Sequence, residues 1–445
     1  MISTPIADFA DAYAASHAVR MHMPGHKGAD VLGCESHDLT EIAGADELFA
    51  PTGIIAESER NASTLFGCQT FYSTEGSSLC IRAMLYLAML HAASQGRKPV
   101  IAAARNAHKT FLTAAALLRF EILWLPQPES AAYLSCGVTA ELLQGCINPE
   151  NPPAALYLTS PDYLGNLCDI RAAASFCHAH GMLLLVDNAH GAYLKFLPDS
   201  MHPADLGADL CCDSAHKTLP VLTGGAYLHI ADLAPAICKE RCKAAMTLFA
   251  STSPSYLILQ SLDVCNRYLH HAFPAKLRAF LPVLAELREQ LSAYGWMLCG
   301  DEPMKLTIQP KAFGYTGTAL SEMLQKARIF CEFADPDYLV LMPSPENPSS
   351  DLRHLLQTLC SIPRRTPITE APPALPHPVQ VLTPHEVLFA RTETLPVRQC
   401  VGRICAELHC ACPPAVPIVT CGERIDEAAA ACMLYYGIET CTVIV

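Results

Sequence analysis

Six short apolar runs, at 100–103, 121–125, 155–159, 182–186, 210–212 and 226–230, alternate with stretches of helical pattern such as 77–93, 107–118 and 170–180. Strands separated by helices form βαβ units, and these assemble into a mostly parallel sheet with helices on both faces. Ligands of such sheets bind just beyond the carboxyl ends of the strands. The residues that follow each run are therefore where chemistry is expected. Beyond residue 230 the pattern turns helical, at 233–249, 255–268 and 275–294, and a second α/β segment follows over 296–359. The stretch IPRRTPITEAPPALPHP at 362–378 carries six prolines and reads as a linker. The expected order is an N-terminal segment (1–45), a large domain (46–295), a small α/β domain (296–361), the linker and a C-terminal domain (379–445).

The chain has 445 residues, 51% hydrophobic and only 16% charged, which excludes a disordered chain. A net charge of −13 argues against nucleic acid or an anionic membrane as the main partner. The best apolar run, 83–90, breaks at His91, well short of the roughly 18–20 residues that span a bilayer. The N-terminus shows neither a basic nor an apolar leader region, so a cytoplasmic protein is expected. The 22 cysteines contain no CxxC pair. The densest group, Cys400, Cys405, Cys410, Cys412, Cys421, Cys432 and Cys441 with His409, reads as small buried apolar residues in a reducing compartment rather than as a metal site.

Three strand ends hold reactive residue types. Asp187 closes the run at 182–186, and an ionised carboxylate against so apolar a run needs a cation or a strong donor, although a cap or turn Asp reads the same way. The next run leads into Ser214, Ala215, His216 and Lys217. Lysine is rarely buried without purpose, and a desolvated lysine attacks carbonyls; the plain alternative is a surface turn. Ahead of both, Glu75, Gly76, Ser77, Ser78 and Leu79 open a long helical run. Free N–H groups, hydroxyls and the positive helix end there suit a phosphate, though serines also cap helices for structural reasons alone. Walker A and GxGxxG patterns are absent, so a nucleotide is not the obvious owner of that phosphate. A phosphate cradle, a carboxylate and a lysine are the three groups that pyridoxal phosphate requires.

Several segments carry a resemblance that runs over nearly the whole chain: MHMPGHKG (21–28), DELFAPTGIIAESERNASTLFG (46–67), ARNAHKTF (104–111), TSPDYLGNLCDI (159–170), DNAHGAYLKF (187–196), SAHKTLPVLTGGA (214–226) and CPPAVPIVTCGERI (412–425). With these the sequence resembles the Orn/Lys/Arg decarboxylase family in its short bacterial form. The resemblance implies an aspartate-aminotransferase-like α/β fold (pyridoxal-phosphate fold type I), with a mostly parallel seven-stranded sheet and small C-terminal α/β domains. It implies Lys217 as the Schiff-base residue, Asp187 as the partner of the cofactor ring nitrogen, and His108 and Ala189 on the two ring faces. Gly76, Ser77, Ser78, Leu79, Ser214 and His216 are implied as the phosphate site. The implied reaction is decarboxylation of lysine, ornithine or arginine to a diamine or agmatine, in polyamine biosynthesis, by a homodimer or a multiple of it. The same residues also serve an aminotransferase or another lyase, and a silent regulatory homologue would keep the fold.

The chain departs from the family pattern at Glu75 (usually Asn), Cys80 (Gly or Ala), Asp162 (Thr), Asn188 (Glu) and Cys421 (Pro). Glu75 and Asp162, both acidic where the family is typically neutral, are candidate partners for a basic substrate side chain, with Glu423 as a further one.

Overall fold

The computed structural model describes residues 2–127, 131–135, 137–408, 410 and 412–445; His409 lies outside the described residues. Seven strands form the main sheet: β1 (Gln69–Ser73), β2 (Val100–Ala103), β3 (Glu121–Trp124), β4 (Ala155–Thr159), β5 (Leu183–Asp187), β6 (Leu210–Asp213) and β7 (Ala226–Ile230). Their order is β1-β7-β6-β5-β4-β2-β3. Six follow the expected runs. β1 is not one of the six runs, because QTFYS has no unbroken apolar stretch; it supplies the strand end expected just ahead of Glu75. Strands β5, β6 and β7 are buried along their whole length, as unbroken runs such as LLLVD require when both faces are covered.

The chain divides into two compact units that interleave along the sequence. The first comprises Met1–Lys98, Ala154–Leu156 and Ile170–Arg278; the second comprises Pro99–Pro153, Tyr157–Asp169 and Ala279–Val445. In the first unit, β7 runs antiparallel to both β1 and β6, while β5 and β6 are parallel. The carboxyl ends of β1, β5 and β6 therefore share one rim, and β7 starts at that same rim. The helix Gly76–Ser94 leaves the rim after β1. It is the one helix among the described residues long and apolar enough to cross a membrane by length and composition, a correction to the sequence estimate, which stopped at His91. It packs instead against the helix Ala236–Thr247 and β7, as a core helix does.

The second unit adds an antiparallel four-stranded sheet of β8 (Met297–Cys299), β9 (Leu306–Gln309), β10 (Phe333–Ala334) and β11 (Leu339–Leu341), and the antiparallel pair β12 (Thr392–Pro396) and β13 (Thr440–Ile444). Residues 99–153 belong with the C-terminal stretch because the helix Lys109–Leu118 is held by it. The Lys109 N–H donates to the Ala415 carbonyl (2.8 Å), and His385 Nδ1 meets the Ala116 carbonyl (2.9 Å). Most of the late cysteines, Cys400, Cys405, Cys421, Cys432 and Cys441, are buried in this unit, whereas Cys412 is exposed.

Candidate active site

In the first unit the shared rim brings together most of the residues expected to act. Asp187, the last residue of β5, is buried; its Oδ1 accepts the Ala189 N–H (3.2 Å) and the Cys212 thiol lies 3.8 Å away. Ala189 is buried beside it. Lys217 is half-buried, and its Nζ lies within hydrogen-bond distance of His190 Nε2, at 3.0 Å. The lysine is in no ion pair among the described residues, which leaves its amine open to carbonyl chemistry once a proton is lost.

The phosphate-type cradle is equally specific. Ser214 Oγ donates to Ser77 Oγ at 2.8 Å, joining the turn after β6 to the first turn of the helix Gly76–Ser94. Gly76 itself has φ +67°, a conformation that favours glycine, and its N–H donates to the Gly224 carbonyl (2.7 Å). His216 docks on the neighbouring Gly225 carbonyl through both its backbone N–H (3.2 Å) and its Nδ1 (2.9 Å). A Cβ at Gly224 would lie 2.9 Å from the Thr74 carbonyl, so the close approach of these two loops requires glycine there. Glu75 stands at the same turn but is exposed, with Oε1 accepting the Ser251 N–H (2.7 Å).

Beneath this rim lies a group that sequence reading did not find. Asp213, fully buried at the end of β6, accepts from Asn188 Nδ2 at Oδ1 (2.6 Å), and its Oδ2 faces His202 Nε2 (3.1 Å) and His229 Nε2 (3.0 Å). Burial alone raises the Asp213 carboxyl, but the two imidazoles more than reverse this and hold it well below the ordinary range. Burial pulls His229 down, against the opposing pull of Asp213. The three side chains have the composition of a metal site. However, His202 Nδ1 accepts the Ala204 N–H (3.4 Å), which puts the imidazole proton on Nε2, toward Asp213. A proton there serves a hydrogen bond, not a metal. The signal was weak in sequence because His202 and His229 lie 11 and 16 residues from Asp213 with no spacing motif.

Three expected residues belong to the second unit. His108 caps the helix Lys109–Leu118: its Nδ1 accepts the Thr110 N–H (3.1 Å), so the neutral ring carries its proton on Nε2. Asp162 and Glu423, expected as partners of a basic substrate, each bond to groups of the chain itself. Asp162 is buried and closes its own turn, with Oδ1 accepting the N–H groups of Leu164 and Asn166 (both 2.9 Å) and Oδ2 accepting Asn166 Nδ2 (2.8 Å). Glu423 is buried in a two-point ion pair with Arg105, at 2.5 and 3.1 Å, and also accepts the Thr420 N–H (2.6 Å). Arg105 in turn lies over the Trp124 ring at 4.8 Å.

A model of the Orn/Lys/Arg decarboxylase major domain matches residues 4–298, and one of that family's C-terminal domain matches residues 373–440. The chain belongs to the Orn/Lys/Arg decarboxylase family. It is similar to an arginine decarboxylase of Bacillus subtilis (28% identical, covering 95% of this chain and 91% of the relative). It is also similar to an arginine decarboxylase of Halalkalibacterium halodurans (27%, covering 96% and 91%). Among solved structures, the Francisella novicida lysine decarboxylase LdcF superposes with a TM-score of 0.79 at 17% identity, over all of this chain and 81% of that one. Sphingomonas wittichii serine palmitoyltransferase, at TM-score 0.57 and 14% identity over 80% and 83%, shares the fold.

Membership makes this chain a pyridoxal-phosphate-dependent amino-acid decarboxylase of fold type I. The donor set fits that cofactor: a buried carboxylate, a lysine without a counter-charge, and a paired-serine turn at a helix start all lie along one rim.

Proposed function

We propose that this family member decarboxylates arginine, or failing that lysine or ornithine, to agmatine or the diamine, with Lys217 as the residue that carries the cofactor covalently. The observation that carries the reading is the placement of Asp187 and Lys217 after neighbouring parallel strands, with the Ser77–Ser214 pair on the same rim. Arginine leads because the Bacillus subtilis and Halalkalibacterium halodurans relatives bear the name arginine decarboxylase.

The residues divide the work. When bound, pyridoxal phosphate supplies the electron sink for the pair left on Cα as CO₂ departs. Asp187, an acid in a low-dielectric strand end, would hold a proton on the ring nitrogen, and Ala189 would pack beside the ring. The family resemblance implies His108 as a further residue for the cofactor ring. Ser77, Ser78, Ser214, His216 and the N–H groups of residues 76–79 hold the phosphate against the positive helix end. His190 orients the Lys217 amine, which moves a proton at Cα once CO₂ has left. Glu75 meets the positive end of the substrate, since Asp162 and Glu423 already have full sets of donors. The proposal includes a cytoplasmic homodimer or a multiple of it.

The test is release of labelled CO₂ from carboxyl-labelled arginine, lysine and ornithine by the purified protein supplied with cofactor. Release from one of the three, lost in Lys217→Ala, supports the reading. Keto-acid formation without CO₂ would assign the same residues to a transaminase, and no turnover of any kind would point to a regulatory protein.

A further inference from the structure

Asp187 ends β5 in a buried setting, and burial by itself favours the uncharged form of a carboxyl. For such a group to leave a proton on a neighbouring ring nitrogen, donors must hold the charge on its own oxygens. Two donors reach Oδ1: the Ala189 N–H at 3.2 Å and the Cys212 thiol at 3.8 Å.

The sheet sets the position of that thiol. β5 and β6 run parallel with Asp187 opposite Cys212, so the two side chains stand on the same face. Strand alternation puts the neighbouring Cys211 on the other face. Cys212 is wholly shielded from solvent. Burial, followed by the charge of Asp187, pushes its thiol well above the ordinary range; Cys80, Asp213 and Cys211 are the other ionisable groups nearby. The sulfur therefore carries its hydrogen at neutral pH, and beside a carboxylate oxygen it serves as the donor. A thiol is a weak donor, strengthened here by a charged acceptor in a dry setting. A valine would fill the same place but would bring no donor to Oδ1.

We propose that Cys212 is a positioning residue of the decarboxylase, whose S–H donates to Asp187 Oδ1 and keeps that carboxylate charged when cofactor is bound. The proposal rests on the reading of Asp187 as the partner of the ring nitrogen, whereas the thiol–carboxylate contact stands without it.

The contact is read by the S–H stretching band in the infrared spectrum of the full-length, cofactor-loaded protein. The band lost in Cys212→Ala should be that of a hydrogen-bonded thiol. Asp187→Asn weakens the acceptor and should move the same band to higher frequency. The role is read by the kcat of CO₂ release. Cys212→Ala should lower it about threefold to tenfold with KM little changed, and Cys212→Ser, which returns a donor, should restore most of the loss. A residue that only fills space would not be rescued by a smaller, polar serine, and its S–H band would ignore Asp187→Asn. If Cys212→Ala fails to fold, Cys212→Val supplies a second side chain without a donor, and the shift in Asp187→Asn still reads the contact. A band unmoved by Asp187→Asn, or wild-type kcat in the folded donor-free variant, overturns the proposal and leaves the assignment of Asp187 standing. Wild-type turnover in Asp187→Ala would instead overturn that assignment, and the proposal with it.

Discussion

Asn188 donates to Asp213 at 2.6 Å, and this bond ties the residue after Asp187 to the residue before Ser214. The carboxylate and lysine ends of the candidate site thus share one buried polar joint, closed from the other side by His202 and His229.

Removing that joint should be costly. Asp213→Ala leaves two imidazole N–H groups and an amide without their acceptor in a dry interior, and a loss of about 3–5 kcal/mol is expected. Urea denaturation of the two proteins measures it. A difference below about 1 kcal/mol would mean that the network does not hold the strand ends.

The same group gives stability an acid limit. The Asp213 carboxyl sits below its ordinary value in the fold, so its stabilisation is present above about pH 3.8 and is lost as pH falls further. His229 is kept neutral mainly by burial, below its ordinary 6.5; the unfolded chain takes up that proton first, so stability begins to fall as pH drops through 6.5. Denaturation midpoints from pH 8 to 3 should decline below about 6.5, and Asp213→Ala should flatten the lower limb. Stability rising toward acid would contradict both assignments.

The covalent assignment is checked by reduction. Borohydride should fix the cofactor to Lys217 and abolish the visible band, with no labelled peptide in Lys217→Ala. Asp187→Ala should lower turnover on the order of a hundredfold or more, while cofactor retention on dialysis falls less, since the phosphate contacts remain. Labelling at another lysine would remove Lys217 from its role.

Arg105 and Glu423 form a structural pair. Arg105→Ala should destabilise by about 3–5 kcal/mol, because it strands a buried carboxylate, and Lys should rescue poorly, lacking the two-point geometry and the stacking on Trp124. If instead Glu423→Gln raises KM for arginine with no change in melting, Glu423 serves substrate after all.

Glu75 carries the specificity prediction. Glu75→Gln should raise KM for the basic substrate several-fold with little change in kcat, since a contact made equally in ground and transition states is removed. Asp162→Asn should act on stability instead, through its turn. Kinetics on arginine, lysine and ornithine with melting curves for both variants separate these outcomes.

The rim was legible in sequence because fully buried strands announce themselves as unbroken apolar runs, and the polar residues that stop them stand out. Partner choice was not legible. Arg105 and Glu423 are 318 residues apart and meet only through the fold. The commitment of Asp162 was closer to the surface of the text: an Asp followed by Asn166 four residues on closes a local turn. The interleaving of the two units was hidden, since contacts such as Lys109 to Ala415 leave no local pattern.

Residues 214 to 225 leave the rim after β6 and return to it at the start of β7, pinned at the outset by Ser77 and at the return by the bonds of Gly76 to Gly224 and of His216 to Gly225. A loop fastened at both ends of so short a path has no slack. Adding or deleting even one residue within it would move Lys217 relative to the serine pair, so the contour length between Ser214 and Gly225 acts as a molecular ruler, and insertions are tolerated only outside it.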